Sequence, residues 1–123
     1  MATGVKNRNG ITFDLVWQNP APSSDFSAKT VLIDLSDYDM VMIEAKMSTS
    51  GSSRSEHFVR VGQMAIMSMP NLAGSAYTYK RQATVGTNGL TFTTGYRNTT
   101  DNSGNSYLIP LCIYGIKGVP AAS

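Results

Sequence analysis

Apolar and polar residues alternate with period two along most of this chain, and polar turn signals cut the alternation into segments. Ile11, Phe13, Leu15 and Trp17 alternate with Thr12, Asp14 and Gln18. The stretch Asn19 to Ser24 holds two prolines and cannot continue a sheet ladder, so it reads as a loop. Val31, Ile33 and Leu35 make the next alternation, closed by Ser36 and Asp37. Val41, Ile43, Ala45 and Met47 share one face of the following segment, opposite Glu44, Lys46 and Ser48. A polar loop over 48–55 follows. Residues 58–69 are a longer apolar-rich stretch in which Gly62 suggests a bulge or a close backbone approach. Tyr77, Tyr79, Arg81, Ala83 and Val85 then share a face opposite Thr78, Lys80, Gln82 and Thr84. Asn88-Gly89 is a tight-hairpin signal, and Leu90, Phe92, Thr94 and Tyr96 alternate beyond it. A second polar tip covers 98–106.

This pattern predicts seven or eight strands at sandwich or barrel spacing. The expected fold is all-β: an antiparallel β-sandwich, jelly-roll-like, over residues 11–118. Residues 1–10 read as a flexible polar arm and 119–123 as a short tail. No apolar stripe of helical period is sustained. The one helical turn the sequence allows lies around 22–28, with Ser23 or Ser24 as its cap and Phe26 pinning it to the core.

The run from Tyr107 to Gly118 breaks the alternation, being apolar at nearly every position. Both of its faces must be covered, one by the core and the other by a further layer or another subunit. Met40 and Met42 lie opposite Val41 and Ile43, so that strand also needs cover on both sides. Seven methionines suit an adaptable core or a subunit interface. Met40, Met42, Leu108, Cys112 and Tyr114 are the candidate interface residues.

Composition narrows the function. A chain of 123 residues with 41% hydrophobic content makes one packed domain. Charged residues are only 15%, and Thr, Ser, Asn and Gly take their place. A net charge of +2, with Lys80-Arg81 the only basic doublet, argues against nucleic acid. The single cysteine, Cys112, excludes an internal disulfide and reads as a small buried hydrophobe. No stretch is long and apolar enough for a membrane span, and the N-terminus lacks a signal-peptide core. Synthesis in the cytoplasm is the expectation.

Candidate chemistry is sparse. His57 is the only histidine, no nucleophile-elbow motif is present, and the residue reads as a surface position at a strand start. One histidine and one cysteine make a zinc site within one chain improbable. Asp34, Asp37 and Asp39 are spaced to bind calcium, but a turn in which Ser36 and Asp37 satisfy backbone amides explains them better. No carboxylate pair or phosphate loop stands out, so neither enzyme activity nor a cofactor is expected. Tyr77, Tyr79 and Tyr96, with Arg97 and Lys80 nearby, are either cross-strand cover or a stacking platform for sugars.

Three pieces of the chain, in order, resemble a known family. Leu15-Val-Trp17-Gln-Asn-Pro20 is followed by Pro22-Ser-Ser-Asp-Phe26-Ser-Ala; Thr30-Val-Leu-Ile-Asp-Leu-Ser-Asp-Tyr38-Asp comes next; Leu108-Ile-Pro-Leu-Cys-Ile-Tyr114-Gly-Ile-Lys117 closes the chain. The order and spacing resemble C-terminal β-sandwich modules of tailed-bacteriophage structural proteins, found in tail, baseplate, fibre and head-appendage proteins. The resemblance implies a virion location, a homotrimer in contact with other virion proteins, and in some cases host attachment through surface carbohydrate. It transfers framework positions (Trp17, Phe26, Leu35, Tyr38, Ile113, Tyr114 and Ile116) and no catalytic residue. The module is nearly the whole chain, with no fibrous stalk before it, which favours a small head or tail decoration protein.

Overall fold

The computed structural model describes residues 4–6, 10–49, 51–70, 78–97 and 104–120, without the side chains of 4–6. These form ten strands and no helix. The strands are β1 (Gly4–Lys6), β2 (Thr12–Gln18), β3 (Lys29–Leu32), β4 (Met40–Ser48), β5 (Arg54–Arg60), β6 (Met64–Pro70), β7 (Thr78–Gly86), β8 (Gly89–Phe92), β9 (Tyr96–Arg97) and β10 (Tyr107–Lys117). Two antiparallel sheets pack face to face, as the alternation predicts. One has the order β1-β2-β10-β4-β5; the other has the order β3-β8-β7-β6, with β9 also pairing with β7.

The outer strands nest as in a jelly roll. The first long strand, β2, pairs with the last, β10, and β3 pairs with β8. The middle of the chain folds instead as two local hairpins, β4–β5 and β6–β7. Residues 4–6, within the stretch read as an arm, pair with β2 as a short edge strand.

Three local expectations change. The long stretch 58–69 is two strands, because the chain crosses from one sheet to the other at Val61-Gly62-Gln63. Gly62 has φ +95°, which only glycine adopts without strain, and its N–H donates to the Val85 carbonyl at 2.7 Å. Residues 22–28 are not helical; Ser24 N–H closes a turn on the Ala21 carbonyl at 3.1 Å, while Phe26 is buried as expected. In the β7–β8 hairpin Thr87 and Asn88 are the turn, and Gly89 opens β8. A Cβ at Gly89 would lie 2.1 Å from the Val31 carbonyl oxygen, so β3 can approach only a glycine there.

The core lies between the sheets. Val41, Ile43, Ala45 and Val59 meet Met67, Met69, Ala83, Val85, Leu90 and Phe92 across it. Phe26 plugs one end, with Trp17 and Phe92 edge-on to its ring at 6.1 and 5.4 Å. Tyr38 closes the other side over Gly115, where a Cβ would come within 2.6 Å of the ring. The Tyr38 hydroxyl donates to Asp14 at 2.9 Å. Burial, and then that carboxylate, push its pKa up to about 12.

Arg81 is the unexpected core residue. It lies on the inward face of β7 with Ala83 and is fully buried. Its Nε donates to the Leu108 carbonyl at 2.9 Å, Nη1 to Thr93 at 2.6 Å, and Nη2 to Tyr107 at 2.8 Å and Asn105 at 3.4 Å. No carboxylate pairs with it among the described residues. The guanidinium therefore joins the break between β8 and β9 to the start of β10. Burial pulls its pKa down to about 10, still far above neutrality, so it stays charged at pH 7. Leu108, which accepts one of these bonds, has φ +49° and is fully buried; packing holds it in a region non-glycine residues seldom adopt.

Arg81→Ala should strand these carbonyls without donors, at roughly 1–3 kcal/mol each for those left dry. Urea unfolding should show a loss of about 4 kcal/mol. Arg81→Lys should lose about half as much, since an ammonium cannot reproduce the planar fork. Equal stability of all three proteins would contradict this role.

Candidate functional site

Cross-strand register decides which side chains share the outer face of the β1-β2-β10-β4-β5 sheet. Paired residues point to the same side. Val41 pairs with Gly115 and Val59, and Ile43 with Ile113 and His57, so these positions face inward. The alternate positions face out. One row across the sheet is Leu15, Tyr114, Met42 and Phe58; the next is Phe13, Ile116, Met40 and Arg60. Seven of these eight residues are apolar or aromatic. Val16, the extra residue of a β-bulge opposite Ile113/Tyr114, lets Trp17 face inward and Leu15 face outward.

This outer face is open at its centre and at the β5 edge. Leu15, Met40, Met42 and Tyr114 are half-buried and Phe58 is 53% exposed. Toward one end, Gly118 and Val119 donate their N–H groups to Asp39 at 2.8 and 3.1 Å, and the Pro120 carbonyl accepts from Arg60 at 3.0 Å. Ile116 beside them is buried. Of the residues expected at an interface, Met40, Met42, Cys112 and Tyr114 share this face by register. Leu108 does not: it is fully buried in the core, in the irregular backbone beside Arg81. Leu15, Phe13 and Phe58 belong to the patch and were not singled out. Pairing register selects them, and sequence alone does not supply it.

A polar cleft of about 290 Å³ adjoins the apolar rows. Gln18, Ser23, Glu44, Lys46, Arg54 and Cys112 are among its walls. Asn19 closes one end by donating N–H to the Leu111 carbonyl and Nδ2 to that of Pro110, both at 2.8 Å. These bonds take up carbonyls of β10 at a second bulge, where Leu111 is the extra residue. Lys46 donates to the Thr49 carbonyl at 3.1 Å, and Arg54 lies 3.9 Å from Glu44. The Cys112 thiol contacts Glu44 at 3.4 Å. Burial, then Glu44, push its pKa up to about 11, so the thiol is protonated and a poor nucleophile at neutral pH.

The tyrosine set divides. Tyr77 lies outside the described residues. Tyr79 and Arg97 pair across strands and come together around Tyr107, with ring centroids 5.2 Å apart and the guanidinium 5.6 Å from the Tyr107 ring. Tyr96 pairs with Lys80 and so points to the other side of the sheet. Consecutive residues on a strand cannot join one platform. Tyr107, the centre of the cluster, stands at the head of the apolar terminal run, so sequence spacing does not group it with the other tyrosines.

The remaining polar candidates make local contacts. Asp34, rather than Asp37, holds the turn: it accepts from the Ser36 N–H at 3.0 Å and its hydroxyl at 2.6 Å, which lowers its pKa. His57 lies inside β5 rather than at its start, and bonds Ser55 at 2.7 Å. Burial lowers its pKa and favours the neutral ring. No group of three or more His, Cys, Asp or Glu residues poised for a metal occurs among the described residues. Among the described residues no helix is long and apolar enough to cross a membrane.

Cys112 gives a pH-dependent test. Its folded pKa is raised above the ordinary value of 9.0, so its contribution to stability is complete below pH 9 and is lost as pH rises through about 11. A chromogenic disulfide reagent at pH 8 should label the folded protein at least tenfold more slowly than the urea-unfolded chain. Glu44→Gln should speed labelling of the folded form. Equal rates for folded and unfolded chains would contradict the assignment. In comparisons with known proteins, no family model, no curated protein and no solved structure matches this chain.

Proposed function

We propose that this chain is a non-enzymatic structural module that works as a homo-oligomer on the surface of a particle. The observation that carries the reading is the apolar outer face of the β10 sheet, with Phe58, Met42, Tyr114 and Leu15 in one continuous row. A row of this kind on a small domain supports reading the face as an interaction surface. The half-buried methionines adapt to a partner surface, and Tyr114 and Phe58 supply the aromatic anchors that interfaces favour. A standard interface buries about 800 Å² per partner. Sequence resemblance supplies the setting: a head or tail decoration protein, or a fibre-type module, of a tailed bacteriophage, arranged as a trimer with other virion proteins.

Host attachment through a surface glycan is the rival role. The Tyr79–Tyr107–Arg97 cluster gives it less support, because the Tyr79 and Tyr107 rings already pack against each other. The Ser55–His57 contact gives little support to hydrolysis: Ser55 is the hydrogen-bond partner His57 has among the described residues, and no carboxylate orients the ring.

Phe58→Asp tests the reading. The side chain is exposed and lies outside the core cluster, so the fold should hold with a change of under about 1 kcal/mol. Light scattering after size exclusion should give the native protein a mass that is a multiple of 13.2 kDa and the variant a smaller one. A native monomer, or a variant of unchanged mass, would defeat this reading of the face.

A further inference from the structure

Apart from β9, whose two residues pair only with β7, the two sheets end in four edge strands among the described residues: β1, β5, β3 and β6. An edge strand exposes a row of backbone N–H and C=O groups, and natural sheets blunt such rows with short strands, charges, prolines or bulges. Three of these edges are blunted. β1 has three residues. β3 has four and opens on Lys29. β5 carries Arg54, Glu56 and Arg60.

β6 is not blunted. Met64–Pro70 is seven residues long, has no charged side chain, and pairs with β7 at every position without a bulge. Its proline is confined to the last position. Outward-facing Met64 and Ile66 are each 53% exposed, while Met67 and Met69 face the core. A long, regular, uncharged edge with exposed apolar side chains is the kind of edge to which another strand can add.

We propose that β6 pairs antiparallel with β6 of a second copy of this chain, continuing the β3-β8-β7-β6 sheet across two molecules. This contact is separate from the outer face of the β10 sheet and goes beyond the reading given above. The choice of a second copy follows from self-complementarity. An uncharged strand meets its own copy without like-charge repulsion. A two-fold axis at Met67 sets Ile66 opposite Ser68 and Met64 opposite Pro70 of the other copy, each contact occurring twice. Met64 and Ile66 then stay on one shared outer face, with the two Ile66 side chains diagonal neighbours. The Met67 pair continues the core side. With two separate contacts per chain, copies can build a larger assembly than either contact gives alone.

The test uses the full chain. Ile66→Lys adds a charge at an exposed edge position that the fold should tolerate. Its mass by light scattering should be about half that of the native protein at the same concentration, with an unchanged unfolding midpoint. Ile66→Cys with Ser68→Cys, in a Cys112→Ser background, should oxidise to a covalent dimer linked between positions 66 and 68. The same crosslink should form when Phe58→Asp is added, so its loss and the loss of the outer-face contact are told apart. An unchanged mass in Ile66→Lys, or failure of the crosslink, would overturn the proposal. So would capture of an unrelated extended peptide at β6 by a native chain that stays monomeric.

Discussion

A buried guanidinium held by backbone carbonyls sets the constraint on which the rest of this sandwich depends. Arg81 cannot be released to water without opening the core, and it cannot stay in the core without acceptors. Backbone carbonyls at Thr93, Asn105, Tyr107 and Leu108 supply them. Those carbonyls belong to the break after β8 and to the entry of β10, so satisfying one side chain fixes where the last strand begins. Gly95 is part of the same arrangement. A Cβ there would lie 2.4 Å from the Tyr107 carbonyl and 3.0 Å from the Arg81 guanidinium. The positive φ of Leu108 fits the same account, since the backbone gives up a comfortable conformation where it presents its carbonyl to Nε.

From that entry β10 runs between β2 and β4 and joins the two ends of the chain into one sheet. Its inward side completes the core through Ile113. Its outward side brings Tyr114 between Leu15 and Met42 and so makes the apolar row continuous. The strand that organises the fold thus also organises the surface. The second sheet contributes differently, through the unprotected edge of β6. The apolar face of one sheet and the open edge of the other are the two surfaces on which the proposed contacts rest.

The strands were readable because alternation and turn chemistry agree. Val41, Ile43 and Ala45 face the core as their spacing implies, and Asn88-Gly89 marks a real hairpin. The terminal run reads as covered on both faces; its inner side lies in the core, and on its outer side Cys112 and Ile116 are buried while Tyr114 is half-buried. Arg81 fell on the apolar face in the sequence pattern, beside Ala83 and Val85, yet pattern alone could not say what would satisfy it. Its acceptors are backbone groups 12 to 27 residues away. Proximity in sequence groups the tyrosines with Arg97, whereas strand parity separates Tyr96 from Arg97. Leu108 looked like an interface residue because hydrophobicity does not distinguish core from contact. The crossing at Gly62 was hidden inside a continuous apolar stretch, since both strands it joins are apolar-rich.

Hydrogen exchange read by mass spectrometry at high and low protein concentration tests self-assembly most directly. Paired edges and covered faces exchange more slowly, whereas a monomer exchanges at the same rate at any concentration. The account predicts slower exchange at high concentration in peptides spanning 54–70, which hold β5 and the free edge of β6, with little change in β3 and β8. Identical exchange at both concentrations throughout the chain, together with a monomer mass, would contradict it.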